Sequence, residues 1–200
     1  KIEDNYLKVR GDVGKMMVKA RSKSRMWRVA ATRSASVSRS AFMGTKRALV
    51  ILAQFSDCKF TVPNVKSYYQ ELLNGSGAPQ YDIPASVNRY FYDQSNGLFD
   101  MHFDVVGPVT VSNKVSYYGS NNSWGDDLHP EKMVEEAIRL SSSQVDFSKY
   151  DWDNDGSVDQ IFVLYAGYSE AQNAPSYTIW PHAYYLSSAG VTPPVFNGVK

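Results

Sequence analysis

The sequence predicts an α/β or α+β fold in which helices flank a mixed sheet. Apolar runs of strand length occur at Arg47–Phe55 and Gln160–Gly167, and segments with helical spacing lie between them. Strands and helices interleave without a strict repeat, as in folds that pack helices on a sheet. The chain has 200 residues, 43% hydrophobic and 14% aromatic, which is enough for one domain with a buried core plus an appendage.

The first elements follow from local patterns between residues 47 and 97. Arg47–Phe55 reads as a buried strand, because its apolar run is almost continuous. Val65–Asn74 has helical spacing and ends before a glycine. A second helix is predicted within Asp82–Gly97, with Pro84 in its first turn and an Asn-Gly pair at its end.

The second half of the chain repeats this alternation. Leu98–Asn113 is predicted to be extended, with a break at Gly107-Pro108. Ser116–Asp127 is rich in turn residues and is predicted to be a loop. A third helix is predicted over His129–Ser142, opened by a proline and a glutamate, and the strand Gln160–Gly167 follows it.

Charge divides the chain into a basic leader, residues 1–46, and a remainder, residues 47–200. The leader has twelve Lys/Arg against three acids, a net charge of +9, whereas the remainder has nine against seventeen, a net charge of −8. A basic arm can bind nucleic acid or an acidic membrane surface. However, Trp27 is the only aromatic residue between Tyr6 and Phe42, so no base-stacking platform is visible. A pro-segment or linker lying against an acidic domain is the favoured interpretation.

Cysteine count and hydropathy exclude several classes of protein. Cys58 is the only cysteine, so an internal disulfide and a multi-cysteine zinc site are both excluded. No stretch approaches the roughly 18 apolar residues of a membrane helix. The chain begins at Lys1 without the charged and apolar regions of a signal peptide, so any such peptide is expected to have been removed or never included.

Aspartates cluster just before the last predicted strand, in the stretch "DWDNDGSVD". Their spacing matches the first part of an EF-hand calcium loop, with alternating carboxylates, a glycine and then a backbone carbonyl. The twelfth position holds Phe162 instead of glutamate, so the motif is not an EF-hand. The alternative is an acidic loop that uses Asp-Gly turn chemistry. The predicted ligands of a structural calcium ion are Asp151, Asp153, Asp155, Ser157 (through its carbonyl) and Asp159.

The three histidines, His102, His129 and His182, form no close metal-ligand pair in the sequence. His129 precedes a proline and is predicted to lie at a helix start, and His102 is predicted to lie in a strand. His182, in "IWPHAYYL", follows an apolar stretch and is the candidate for contact with a substrate. No nucleophile elbow, phosphate-binding loop or dinucleotide fingerprint occurs, so these residues alone predict a calcium-stabilised domain with no catalytic site.

The order of four segments resembles the immune-inhibitor-A family of secreted bacterial zinc metallopeptidases. These segments are "RALVILAQFSD", "VNRYFYDQSNGLFDMHFDVVGPVTV", "DWDNDGSVDQIFVLYAGYSEA" and "IWPHAYYL", which together extend from about Lys46 to Leu186. The resemblance implies the N-terminal half of a zincin catalytic domain, preceded by a pro-segment. It also implies secretion or a cell-surface location, and protein or peptide substrates.

The sequence departs from this family at the zinc site. The family places an H-E-x-x-H helix downstream of the "IWPHAYYL" region, and no such motif occurs in this chain. No zinc ligand or catalytic glutamate is therefore assigned, and zinc is expected only in a longer form that includes the C-terminal remainder of the catalytic domain. Two alternatives remain: a non-catalytic, calcium-stabilised binding or adhesion module, and the disfavoured nucleic-acid binder.

Overall fold

The computed structural model describes residues 43–77 and 83–200, so all but the last four residues of the basic leader lie outside the described residues. It has a three-stranded sheet in the order β2-β1-β3 with parallel pairing throughout. β1 spans Gly44–Gln54, β2 spans Phe99–Thr110 and β3 spans Ile161–Tyr165. Parallel neighbours require crossover connections, which the helices provide. The predicted class, α/β or α+β with helices flanking a sheet, is confirmed as α/β, and the described strands pair only in parallel where a mixed sheet was expected.

β1 lies in the centre of the sheet because its apolar run is uninterrupted. Every residue of Ala48–Ala53 is at most 1% exposed, as expected of a strand that is covered on both faces. The predicted strand Arg47–Phe55 is confirmed, and the structure begins it three residues earlier, at Gly44.

β2 runs without interruption through Gly107-Pro108, so the predicted break at this dipeptide is wrong. The peptide bond is cis, and the pairing with β1 shifts register between Ile51 and Ala53. Proline has no N–H to donate to a neighbouring strand. A strand tolerates proline where its pairing is irregular, as it is here. Gly107 has a φ of +93°, and a Cβ at this position would lie 2.7 Å from the carbonyl oxygen of Leu52. Only glycine fits there.

Two helices cover one face of the sheet. α1 spans Val65–Asn74, as predicted, and α2 spans Val87–Gln94. Leu73 of α1 is buried against the even-numbered residues of β1, and Phe91 of α2 packs against the same cluster. The predicted start of α2 is wrong. Its N-cap is Ser86, whose hydroxyl accepts a hydrogen bond from the N–H of Arg89 at 3.2 Å, so Pro84 precedes the helix.

The opposite face is covered by α3, Val115–Gly119, and α4, Pro130–Ser141. α4 is predicted correctly, with His129 as its N-cap residue. α3 lies mostly inside the segment predicted to be a loop, and that prediction is wrong there. Tyr118, which is fully buried with its ring centroid 5.8 Å from that of Phe55, holds this single turn of helix against the core.

The segments around β3 contain little regular structure. Short 3₁₀ turns occur at Ser142–Gln144, Phe147–Tyr150, Glu170–Gln172 and Leu186–Ala189. All five residues of β3 are half-buried, which is consistent with its position at the sheet edge. No helix within the described residues is long and apolar enough to cross a membrane.

Candidate metal centre

The aspartate loop, Asp151–Asp159, joins the 3₁₀ turn Phe147–Tyr150 to β3. Its backbone N–H groups point at its own carboxylates. The N–H of Asp155 donates to Asp151 Oδ1 at 3.1 Å, and the N–H of Gly156 donates to Asp151 Oδ2 at 2.9 Å. Gly156 has a φ of +82°, which L side chains rarely adopt. The chain therefore curls around a group of carboxylates, as the motif predicts.

Three of these carboxylates converge. Asp151, Asp153 and Asp159 can each offer one oxygen so that the three oxygens lie within 4.8 Å of one another. The pKa of Asp159 is raised, first by its burial and then by the negative charges of Asp153, Asp151 and Asp155. A cation would relieve this repulsion, and carboxylate oxygens are the ligands that calcium prefers.

The carboxylate of Asp155 does not belong to this converging group. Asp155 Oδ1 accepts a hydrogen bond from the N–H of Ser157 at 2.8 Å. The role of the Asp155 carboxylate and that of the Ser157 carbonyl in metal binding both stay predictions.

The aspartate loop is tied to the start of β1 by an aromatic residue that the sequence did not single out. The indole Nε1 of Trp152 donates to the carbonyl oxygen of Arg47 at 2.7 Å, and its backbone N–H donates to Asp159 Oδ2 at 2.5 Å. Its ring also contacts that of Phe99, with centroids 6.2 Å apart. The available signal was an aromatic residue between two aspartates that are predicted ligands, but spacing could not reveal its partner 105 residues earlier in the chain.

The loop is also tied to the end of the chain. The N–H of Val158 donates to the carbonyl oxygen of Lys200 at 2.9 Å, and the N–H of Lys200 donates to that of Gly156 at 3.0 Å. The aspartate loop thus contacts three distant parts of the chain, at Arg47, Phe99 and Lys200.

The three histidines lie on different elements. His102 is exposed on β2, with Nε2 3.3 Å from Asp100 Oδ2. The ring of His129, at the start of α4, lies 4.7 Å from that of Tyr117. Neither contact brings a second nitrogen ligand near.

His182 lies in the irregular segment beyond β3. Its Nδ1 is 2.7 Å from the carbonyl oxygen of Trp180, and its ring stacks on Tyr184 with centroids 4.9 Å apart. Burial, the largest effect, lowers the pKa of His182, which favours the neutral imidazole. No substrate contact is tested by this geometry, so that role stays a prediction.

Zinc does not fit the residues that the structure describes. Within residues 43–77 and 83–200, the aspartate triad is the one group of three or more His, Cys, Asp or Glu side chains whose ligand atoms converge. Structural and catalytic zinc sites are built mainly from histidine and cysteine. Cys58 is half-buried in the loop after β1, and burial raises the pKa of its thiol.

Comparison with known proteins shows the family to which the chain belongs. A relative named Immune inhibitor A, from Bacillus thuringiensis subsp. alesti, is 23% identical over 171 aligned residues. The alignment covers 68% of this chain and 25% of the relative, so the chain spans about a quarter of that protein's length. A family model described as immune inhibitor A peptidase M6, catalytic domain, matches residues 40–198. The chain therefore belongs to the immune inhibitor A peptidase M6 family, within its catalytic domain.

Proposed function

We propose that this chain is the N-terminal part of the catalytic domain of a secreted zinc endopeptidase that hydrolyses peptide bonds in proteins. The observation that carries the proposal is the match of residues 40–198 to the catalytic domain of a peptidase family. The three-stranded parallel sheet with helices on both faces supports it as the framework of such a domain.

Zinc would be bound by residues outside this chain, because the described histidines do not converge. When bound, zinc lowers the pKa of a water molecule and so supplies the nucleophile for peptide hydrolysis. We assign no zinc ligand in this sequence. His182 is proposed to contact the substrate as a neutral imidazole, which can donate one hydrogen bond and accept another.

Calcium is proposed as a structural ion of the aspartate loop. Asp151, Asp153 and Asp159 would supply carboxylate oxygens, and the Asp155 side chain and Ser157 carbonyl are further candidates. Calcium takes about six to eight oxygen ligands, so water or another group would complete its shell. The ion would neutralise the carboxylates and rigidify the contacts with β1 and the chain end.

The basic leader, residues 1–46, is proposed to be a pro-segment. Its net charge of +9 against −8 in the remainder favours contact between the two. Dissolved salt screens the attraction between oppositely charged segments, so this contact is expected to weaken as the salt concentration rises.

A second candidate, a non-catalytic calcium-stabilised binding module, is favoured by one observation. The metal-ligand group in the described part of the chain consists of hard oxygen donors without histidine. Such a module would bind calcium and a partner protein but cleave nothing.

Casein cleavage distinguishes the two candidates. The 200-residue chain with added zinc is expected to cleave no casein, whereas a longer form that includes an H-E-x-x-H helix is expected to cleave it and to lose activity with 1,10-phenanthroline. Chelator-sensitive cleavage by the 200-residue chain would contradict our assignment and direct a search to His102, His129 and His182. A longer form that binds calcium but does not cleave would support the second candidate.

A further inference from the structure

A dibasic pair, Lys46-Arg47, lies inside β1 where the basic leader meets the rest of the chain. The side chain of Arg47 is 55% exposed. Trypsin-like proteases cleave after such residues. An aspartate in their specificity pocket binds the basic side chain, and an oxyanion hole binds the oxygen of the scissile carbonyl. The pair is therefore a cleavage site by its sequence, and cleavage depends on how the folded chain holds these two groups.

The guanidinium of Arg47 is bound by Asp104 of β2. Its Nε and Nη2 donate to the two carboxylate oxygens of Asp104 at 2.8 and 2.5 Å, a two-point geometry that makes ion pairs of this kind strong. Asp104 is fixed in turn by Tyr150, which is 5% exposed and whose hydroxyl donates to Asp104 Oδ2 at 2.9 Å. An aspartate of the protein itself thus binds the group that the specificity pocket of a trypsin-like protease must bind.

The carbonyl oxygen of Arg47 is bound by Trp152 of the aspartate loop. The indole Nε1 donates to this oxygen at 2.7 Å, and the indole ring packs against that of Phe99. β3 pairs with β1 over residues 49–53, so the indole extends the hydrogen bonding of β1 to a residue that precedes this paired stretch. The oxygen that an oxyanion hole must bind is therefore already engaged in a hydrogen bond.

Exposure of these two groups does not require the core to unfold. Arg47 is the fourth residue of β1, and the fully buried part of the strand begins after it, at Ala48. The ends of an element open at a lower free energy than its buried centre. The contacts made by Asp104 and Trp152 are therefore a local barrier to opening at this position.

We propose that Asp104 and Trp152 form a clamp that conceals a latent processing site, the Arg47–Ala48 peptide bond, at the end of the basic leader. A trypsin-like protease must displace both contacts before it can bind Arg47. Hydrolysis then consumes one water molecule, breaks the peptide bond and leaves a carboxylate on Arg47 and an amino group on Ala48. The closed clamp directs cleavage to the leader upstream and keeps the start of β1 in the sheet. The inference rests on the proposed function only in taking residues 1–46 as a pro-segment.

Limited trypsin digestion of the 200-residue chain, followed by mass spectrometry, tests the clamp through fragments that begin at Ala48. Trp152→Phe keeps an aromatic ring next to Phe99 and removes the indole N–H. It is expected to accelerate cleavage after Arg47 roughly three- to tenfold, the factor that corresponds to the loss of one hydrogen bond. Asp104→Asn, which removes the carboxylate charge, is expected to accelerate the same cleavage.

Trp124→Phe is the matched control, because the Trp124 side chain is 82% exposed and lies in the loop between α3 and α4. It is expected to leave cleavage after Arg47 unchanged. Cleavage after Arg139 of α4 reports general unfolding, which would accelerate both cleavages. The proposal is overturned if neither clamp variant raises the ratio of cleavage after Arg47 to cleavage after Arg139, or if Trp124→Phe raises this ratio as much. Failure of the pro-segment assignment is a separate outcome, because it would be seen as resistance at a different bond, after Arg39.

Discussion

At the residue scale, Asn74 is the side chain whose two hydrogen bonds define the edge of the sheet. Its carboxamide carries an acceptor oxygen and a donor N–H group, spaced much like the C=O and N–H of a strand. It can therefore bond both the carbonyl oxygen and the N–H of Phe103. Phe103 itself is 3% exposed. Removing the amide would leave the peptide groups of a buried residue without these partners.

Asn74→Ala is therefore expected to destabilise the fold by about 1–3 kcal/mol, the cost of leaving a buried polar group unpaired. Urea unfolding, followed by tryptophan fluorescence, measures this difference. The control is Gln70→Ala on the same side of α1, which makes no hydrogen bond to β2 in the described structure and should change stability by less than about 0.5 kcal/mol. Equal effects of the two substitutions would assign the loss to helix packing.

At the element scale, the sequence predicts those elements that carry their own boundary signals. α1 ends at an Asn-Gly pair, α4 starts at a proline, and both predictions hold. β1 is identified by its apolar run alone. These signals are local, so no knowledge of distant contacts is needed.

The failures concern features that depend on partners distant in sequence. The single turn of α3 exists because Tyr118 is buried, and its hydroxyl donates to Glu136 of α4 at 2.7 Å. β2 continues through Gly107-Pro108 because its pairing with β1 shifts register there. At the candidate metal centre, the motif identifies the aspartates. It does not reveal which three converge or that Trp152 anchors them.

The start of β1 sets the expected boundary of the basic leader. Lys46 and Arg47 are paired with Met101 and His102 of β2, so they lie inside the sheet. A protease must bind its substrate as an extended, unpaired segment, and strand residues resist cleavage.

Limited trypsin digestion is therefore expected to leave a stable fragment that begins at Ser40, after cleavage at Arg39, and not at Arg47. Mass spectrometry and N-terminal sequencing identify the fragment. Rapid cleavage after Lys46 would show that β1 is open at its start, and resistance at all leader arginines while the rest degrades would place the domain boundary elsewhere.

At the scale of the whole molecule, the aspartate loop leads into β3 and also contacts β1 and the last residue, Lys200. It does so through Trp152–Arg47 and through the backbone bonds to Lys200. An ion bound in this loop would stabilise the whole fold against unfolding and not only the loop, because global unfolding must break all of these contacts. A ligand that binds only the folded state adds RT ln(1 + [L]/Kd), about 2.7 kcal/mol at a hundredfold excess over Kd.

Calcium is accordingly expected to raise the melting temperature by several degrees, since about 1 kcal/mol corresponds to about 2–4 °C in a chain of this size. Calorimetry with calcium and in calcium-free buffer measures the difference. Asp153→Ala is expected to abolish it, because it removes one of the three converging carboxylates. The matched control is Asp93→Ala, which removes an exposed carboxylate of α2 that pairs with Arg89 and is not among the converging carboxylates, and which should retain the calcium effect.

The calcium effect should also depend on pH in a defined direction. Without the ion, the folded-state pKa of Asp159 is raised above its unfolded value. Ionised Asp159 therefore disfavours the fold above that pKa, and protonation relieves this as the pH falls through it. Calcium requires the ionised carboxylates, so protons compete with it, and the difference in melting temperature should shrink as the pH falls into the range where Asp159 titrates. A difference that is constant from neutral pH down through this range, or that persists in Asp153→Ala, would place the calcium ion outside the aspartate loop.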